Sequence, residues 1–457
     1  MEPFASPDQL DPKLLIFLEE ACGKLCDWFA QAGRSGPLPT SIHKIEIAPQ
    51  VLGLSKESLL DDLNSIMDCA YRPSHPGSLA HLDPPPLTSS IVGDLISSGL
   101  NNNLLANELS PSLSNLERQL CLWFAKRLGM PEEAGGVAAS GGTLSNLMAL
   151  VIARQQAGMQ NDPDAVVIAS ADAHISFAKA ISVMGLKPDA LQTIPTNIDG
   201  QITTENVVDQ ITKLRKVGRR CFAVIATAGT TVRGAIDPLY DLSQLCIRQG
   251  LWLHVDAAIG GVFALSDNTS SLVRGISFAN SVALNPQKLL GISKTSSLLL
   301  VANRTNLKTT FGTQMPYLEP SSDDDIHGGE IGLQGTRSAD VLKLWLGLRQ
   351  LGETGIDNLL QSAITRRIYL EKKLDNSLFN ILTGPLHLIA LTPSSTFNKL
   401  SSQWAMDTRD YLLKNKFMLS RPFYQGEHYL KAVLGNPHTE NSHLDRLSEI
   451  INKSLAL

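Results

Sequence analysis

Between residues 166 and 301 the chain repeats one pattern: a short run of apolar and β-branched residues, then a longer segment with apolar residues at helical spacing. Residues 166–170, 222–228, 251–255, 281–284 and 297–301 are the strand-like runs, and 206–217 and 239–248 are helix-like. Runs that are apolar at nearly every position must be covered on both faces, and intervening helices supply that cover. The pattern therefore predicts an α/β fold with a large, mostly parallel sheet, whose functional residues sit just past the carboxyl ends of the strands.

Each strand end carries a different polar element. His174 follows the first, Gly229-Thr230-Thr231 the second, Asp256-Ala257-Ala258 the third and Asn285-Pro286-Gln287-Lys288 the fourth. Pro286 cannot continue a hydrogen-bonded ladder, so the strand stops there and delivers one amine to its tip. Ala283, Leu284, Leu289 and Leu290 surround Lys288, and desolvation by such neighbours favours the neutral, nucleophilic amine. Taken alone, the segment fits a lysine snorkelling to solvent equally well. Asp256 is approached through Leu251, Trp252, Leu253 and Val255. Its carboxylate belongs at the edge of the core, where an unpaired charge is costly and a cationic partner is expected.

Upstream, Ser140-Gly141-Gly142-Thr143-Leu144-Ser145-Asn146 opens a strong helical pattern. Free backbone N–H groups and the helix dipole at such a start favour an anion such as phosphate. The segment lacks a Gly-x-Gly-x-x-Gly spacing, and a glycine-rich turn capped by Thr143 or Ser145 explains it as well. A reactive lysine, a buried carboxylate, a phosphate cradle and an imidazole together match the needs of pyridoxal 5′-phosphate: a covalent anchor, a partner for the pyridine nitrogen, an anion site and a ring-stacking group.

The run His254-Val255-Asp256-Ala257-Ala258 followed by Asn285-Pro286-Gln287-Lys288 closely resembles the group II pyridoxal-phosphate amino-acid decarboxylases. The likeness extends through His75-Pro76, Ser110-Pro111, Gly141 to Asn146, Ala171 to His174, Ala226 to Thr231, Asp237-Pro238, Gln334 to Arg337 and Asn436 to Thr439. It implies a fold-type I, aminotransferase-like architecture and a homodimer with active sites at the subunit interface. By the same resemblance Lys288 anchors the cofactor, Asp256 pairs with its ring nitrogen and His174 stacks on the ring. Thr143, Leu144, Ser145 and Asn285 meet the phosphate, while Thr231 and Ala258 border the ring. Tyr317, in Gln314-Met315-Pro316-Tyr317, matches the loop tyrosine that protonates Cα after carbon dioxide leaves, with Gly312, Gly328 and Gly329 flanking the loop.

Substrate contacts are expected from His81, Asn103 and Lys431. Two positions depart from the family pattern: Gln287 stands where many relatives have histidine, and Lys431 where they usually have an arginine, which removes a bidentate fork. His81-Leu82 with Asp83 resembles the 2,4-diaminobutyrate decarboxylases, whereas Asn107 to Pro111 resembles the members acting on acidic substrates. The substrate is thus expected to be small and polar, basic or acidic, and aromatic residues at 5% offer no stacked pocket for a ring. Another fold-type I lyase or transaminase, or a catalytically silent paralogue, remains as an alternative.

At 457 residues with 43% hydrophobic and 18% charged side chains, the chain can bury a large core. Three units are expected: a helical arm over 1–60 with a dimer contact, a cofactor-binding domain over 61–350 and a small α+β domain over 351–457. A net charge of −5, with 39 basic and 44 acidic residues interspersed, gives no footprint for nucleic acid or anionic membrane. Six scattered cysteines and no basic-then-apolar leader point to the cytoplasm. Cys22 and Cys26 share a helix face and are expected to be core thiols, and the histidines of the 71–86 loop are expected to be polar loop residues, so no metal site is expected.

Overall fold

A computed structural model describes residues 3–313, 326–395 and 400–456. Seven strands form the main sheet: β1 Gly135–Ala139, β2 Val166–Ser170, β3 Leu191–Ile194, β4 Cys221–Thr227, β5 Trp252–Asp256, β6 Ser281–Leu284 and β7 Ser297–Val301. They lie in the order β1-β7-β6-β5-β4-β2-β3. β2, β3, β4, β5 and β6 pair in parallel, while β7 runs antiparallel to both its neighbours. The connection from β6 to β7, residues 285–296, contains no helix. Without a crossover helix the chain can only turn back, which fixes β7 as the reversed strand. That same connection carries Lys288.

All residues of β2, β6 and β7 are buried, as expected for strands covered on both faces. Pro111–Arg127, Gly142–Gln156, Thr204–Lys216 and Leu239–Gln249 are the covering helices. Their apolar faces, including Phe124, Leu150, Ile152, Ile211 and Leu242, are 0–4% exposed. Two strands were not anticipated. β1 opens with Gly135-Gly136 and has weak strand propensity, so it carries no strand signal. β3 is a short edge strand whose pattern, Leu-Gln-Thr-Ile, is too brief to register.

The C-terminal part has its own core. β8 Phe379–Thr383, β9 Leu388–Pro393 and β12 Leu430–Val433 form an antiparallel sheet in the order β12-β9-β8, beside a hairpin of β10 Phe423–Tyr424 and β11 Glu427–His428. Leu370, Phe379, Leu391, Trp404, Leu412 and Leu447 pack there, and Trp404 Nε1 donates to Ser454 Oγ at 2.8 Å. One 33-residue segment, Val341–Lys373, bridges the two cores. It is broken at Gly352, whose φ of 60° and ψ of 178° suit only glycine.

The first helix spans Pro12–Ala30, capped by Asp11, and packs on Lys56–Asp68. Trp28 Nε1 donates to Met67 O at 2.7 Å, and the Arg72 guanidinium lies 4.7 Å from the Trp28 ring centroid. No residue of Pro12–Ala30 is buried. Cys22 and Cys26 are exposed, which corrects the expectation of core thiols: the stripe that carries them has no covering element within the chain.

Arg337 and Glu117 form a buried bidentate pair, with Nη2 at 2.7 Å from Oε1 and Nη1 bonding Oε2. Their side chains are 8% and 4% exposed. Arg337 also receives Leu104 N–H on its carbonyl at 3.0 Å and donates its own N–H to Asn103 Oδ1 at 3.3 Å. The pair therefore holds the 101–109 segment against the start of the long helix. Removing one partner leaves an uncompensated buried charge. Glu117→Gln or Arg337→Met is expected to cost about 3–5 kcal/mol, seen as a lowered thermal midpoint by circular dichroism, and the double variant Glu117→Leu/Arg337→Met should recover most of it. A single-variant loss below about 1 kcal/mol, the range of an exposed pair, would contradict this role.

Candidate active site

A cavity of about 480 Å³ opens where the carboxyl ends of β2, β4, β5 and β6 face the start of helix Gly142–Gln156. This is where a parallel sheet places ligands. Gly141, Thr143, Leu144, Asn146, Asp172, His174, Thr227, Thr231, Asp256, Ala258, Asn285, Gln287 and Lys288 are among its walls.

Lys288 is held below the ordinary lysine range, chiefly by burial, while Asp256 and Asp83 partly oppose the shift. A desolvated amine of this kind has an accessible nucleophilic form. Asp256 is 5% exposed; its Oδ2 accepts from Asn146 Nδ2 at 3.0 Å and its Oδ1 from the Ala258 N–H at 3.2 Å. His174 is exposed to the cavity. Its imidazole is shifted down by the surrounding protein, with Asp256 opposing and Lys288 and Lys179 reinforcing. Its Nδ1 accepts the Ser176 N–H at 3.2 Å, which fixes the ring's orientation.

Around the helix start, Gly141 has φ 137° and no side chain caps the helix. A Cβ at Gly142 would lie 2.8 Å from Asn285 Nδ2, so glycine is what lets the backbone approach that amide. Asn285 Oδ1 accepts from Ser297 Oγ at 2.7 Å, and Ser297 Oγ lies 2.8 Å from Ser145 Oγ. Gln287 Oε1 accepts the Ser296 N–H at 2.6 Å.

Pyridoxal 5′-phosphate fits these residues. The uncapped helix start and Thr143 suit a phosphate, Asp256 suits a protonated ring nitrogen, and Lys288 suits an aldehyde. Thr227 Oγ1, buried in the cavity wall with no hydrogen-bond partner among the described residues, suits a polar ligand, since such atoms are costly to leave unmet. When bound, the cofactor supplies an electron sink for the carbon that loses carbon dioxide.

The structure gathers Thr143, Leu144, His174, Thr231, Asp256, Ala258, Asn285 and Lys288 on this one cavity. Four other expected contacts lie elsewhere. Ser145 is fully buried, with its Oγ 2.8 Å from Ser297 Oγ, and is not among the cavity walls. Asn103 lines a separate polar cavity with Arg337 and Lys343, and its Nδ2 donates to Thr336, so it makes no contact with this chain's own site. His81 lies at an adjacent cleft with Asp83 and Leu289. Lys431 is 9% exposed and donates to the carbonyl of Thr231 at 3.2 Å. Tyr317 is outside the described residues. Asn146 and Asp172 were missed as site residues; Asn146 stands in the same glycine-rich motif, but only the fold shows that it meets Asp256.

The model of the pyridoxal-dependent decarboxylase conserved domain matches residues 40–388. An L-2,4-diaminobutyrate decarboxylase of Rhizobium meliloti (strain 1021) is 29% identical over 387 residues, 83% of this chain and 78% of that protein. A human cysteine sulfinic acid decarboxylase is 30% identical over 366 residues, 77% of this chain and 72% of that one. The crystal structure of mouse CSAD in apo form superposes with a TM-score of 0.88 at 25% identity, covering 97% of this chain and 99% of the other. The site and these likenesses agree: the chain belongs to the pyridoxal-dependent decarboxylases and is an enzyme that uses pyridoxal 5′-phosphate to decarboxylate an amino acid.

Proposed function

We propose that the substrate is a short L-amino acid with a charged side chain, an acidic one first, which loses its α-carboxylate to give the amine. The charge balance at the rim carries this reading. Lys431 is nearly buried, and Lys294 and His81 lie nearby, against one carboxylate, Asp83, already paired with Lys294 at 2.6 Å. A buried ammonium with only a carbonyl partner gains most from a carboxylate or sulfinate. A diamine is the second reading. The Asp83–Lys294 pair is half-exposed, at 36% and 53%, so it is weak and can yield Asp83 to a substrate ammonium.

In this reading Lys288 Nζ would anchor the cofactor aldehyde, Asp256 would pair with the ring nitrogen and His174 would cover the ring face. Thr143, Leu144, Ser145 and Asn285 would hold the phosphate, Thr231 and Ala258 would border the ring, and Tyr317 would return a proton to the substrate's Cα. We also infer three units, an arm over 1–60, a cofactor-binding domain over 61–350 and a C-terminal domain over 351–457. The two hydrophobic cores and the break at Gly352 support the later boundary. The uncovered stripe of Pro12–Ala30, with Ile42, Ile47, Val51 and Leu52 at 80–102% exposure, supports a homodimer closed by the arm. Six free thiols support a reducing, cytoplasmic setting. Among the described residues no helix is long and apolar enough to cross a membrane.

Incubation with single L-amino acids should release carbon dioxide and one equivalent of amine from aspartate, cysteine sulfinate or glutamate without consuming a keto acid. Turnover of 2,4-diaminobutyrate alone selects the second reading, and turnover of aromatic amino acids alone excludes both.

Lys431 is pushed down to about 8, by burial first and then by the charge of Lys288, with Asp83 opposing. Deprotonation above that pH removes the cation, so KM should climb about tenfold per pH unit there, while Lys431→Arg, which stays charged, should lack that limb. The same limb in both proteins would exclude Lys431 as the anion's anchor.

Sedimentation should give a particle of twice 49.4 kDa, dissociated by Ile16→Asp. A wild-type monomer would rule out the interface.

A further inference from the structure

One continuous set of hydrogen bonds stands behind Asp256. Trp252 Nε1 donates to Ser281 Oγ at 2.8 Å, and Ser281 Oγ lies 2.9 Å from His254 Nδ1. His254 Nε2 lies 3.0 Å from Asn146 Oδ1, and Asn146 Nδ2 reaches both Asp256 Oδ2 and Ser176 Oγ at 3.0 Å. The two ends set the direction of every proton. An indole N–H only donates and an ionised carboxylate only accepts. Asn146 must therefore turn its NH₂ to Asp256, which leaves Oδ1 as an acceptor. His254 then carries its proton on Nε2, and its Nδ1 accepts the Ser281 hydroxyl, whose oxygen accepts from Trp252.

The imidazole is neutral in this arrangement. His254 is 0% exposed, and burial pushes it down to about 4, with Asp256 the main opposing charge. Phe177 packs against it with ring centroids 6.0 Å apart and offers no polar partner. His254 and Asp256 alternate on β5 and so face the same side of the sheet, toward Asn146 on the helix whose start forms the phosphate cradle. Ser176, the second acceptor of the Asn146 amide, is also the residue whose N–H holds His174 Nδ1.

We propose that His254 is a positioning residue for the cofactor's ring nitrogen: by donating from Nε2 it locks the Asn146 amide, which keeps Asp256 aimed at that nitrogen. The proposal rests on the reading of Asp256 as the nitrogen's partner. With the histidine gone the amide keeps only Asp256 and Ser176 as partners and is free to turn away from the carboxylate. The loss of one hydrogen bond to a charged group then falls on Asp256 and, through it, on the proton of the ring.

The test is nitrogen NMR of holoenzymes reconstituted with pyridoxal 5′-phosphate labelled with ¹⁵N in the ring. Wild type and His254→Gln, whose amide can donate to Asn146 and accept from Ser281, should keep the ring nitrogen protonated over the same pH range. His254→Leu should lose that proton about one to two pH units lower, and Ser281→Ala, which removes the hydrogen bond that sets the tautomer together with the acceptor of the Trp252 indole, should show a smaller shift. Identical ring titrations in wild type and His254→Leu, with only the melting temperature lowered, would overturn the proposal. If His254→Leu does not fold, an unshifted Ser281→Ala holoenzyme does the same. Asp256→Asn separates the two layers: a ring that stays protonated there overturns the role of Asp256 and with it that of His254. Loss of the proton in Asp256→Asn but not in His254→Leu removes His254 alone.

Discussion

The site depends on keeping one carboxylate charged inside the protein. Asp256 is 5% exposed at the end of a strand whose other interior positions are fully or nearly fully buried. An uncompensated ion in such a place costs several kcal/mol. Two hydrogen bonds from Asn146 and Ala258 meet part of that cost, since a bond to a charged group returns about 1.5–3 kcal/mol. In the proposed reading a cationic ring nitrogen would supply the rest. Much of the fold follows from this demand: a helix start must lie near the strand end to bring in Asn146, and the strands on either side must be buried to keep water out.

The same demand ties anchors that are far apart in sequence. Helix Gly142–Gln156 offers its N-terminus to a phosphate and, within two turns, its Asn146 side chain to Asp256. β6 carries Ser281 at one end and leads to Lys288 at the other. Ser145, Ser297 and Asn285 link the helix to the connection that bears Lys288. The cofactor's phosphate, ring and aldehyde would thus be gripped by elements that are hydrogen-bonded to one another, so the pocket acts as a preorganised unit and not as three separate contacts.

Much of this was legible in the sequence. The apolar runs 281–284 and 297–301 coincide with β6 and β7 because fully buried strands announce themselves, and the polar tips after β2, β4, β5 and β6 lie on one cavity. The reversal of β7 was not legible, since direction leaves no trace in composition. β1 was hidden by its two glycines, and the break in the long helix falls at Gly352, within an apolar pattern that reads as continuous. Ser145 shows the limit of motif reading: position in a glycine-rich turn does not give the helix phase, and only packing shows that the hydroxyl meets Ser297. Asn146 and Asp256 are 110 positions apart, so their contact is a property of the fold. The thiols of the arm misled in the other direction: Cys22 and Cys26 are exposed, because a shared helix face does not show that the face is covered.

The central claim is that Lys288 is the covalent anchor of pyridoxal phosphate in this cavity. Reduction of the freshly reconstituted enzyme with borohydride, followed by proteolysis and mass spectrometry, tests it most directly. The account predicts one pyridoxyl-phosphate adduct per chain, on the peptide containing Lys288, and its absence from Lys288→Ala. An adduct centred on another lysine, or none in protein that retains its fold, would contradict it.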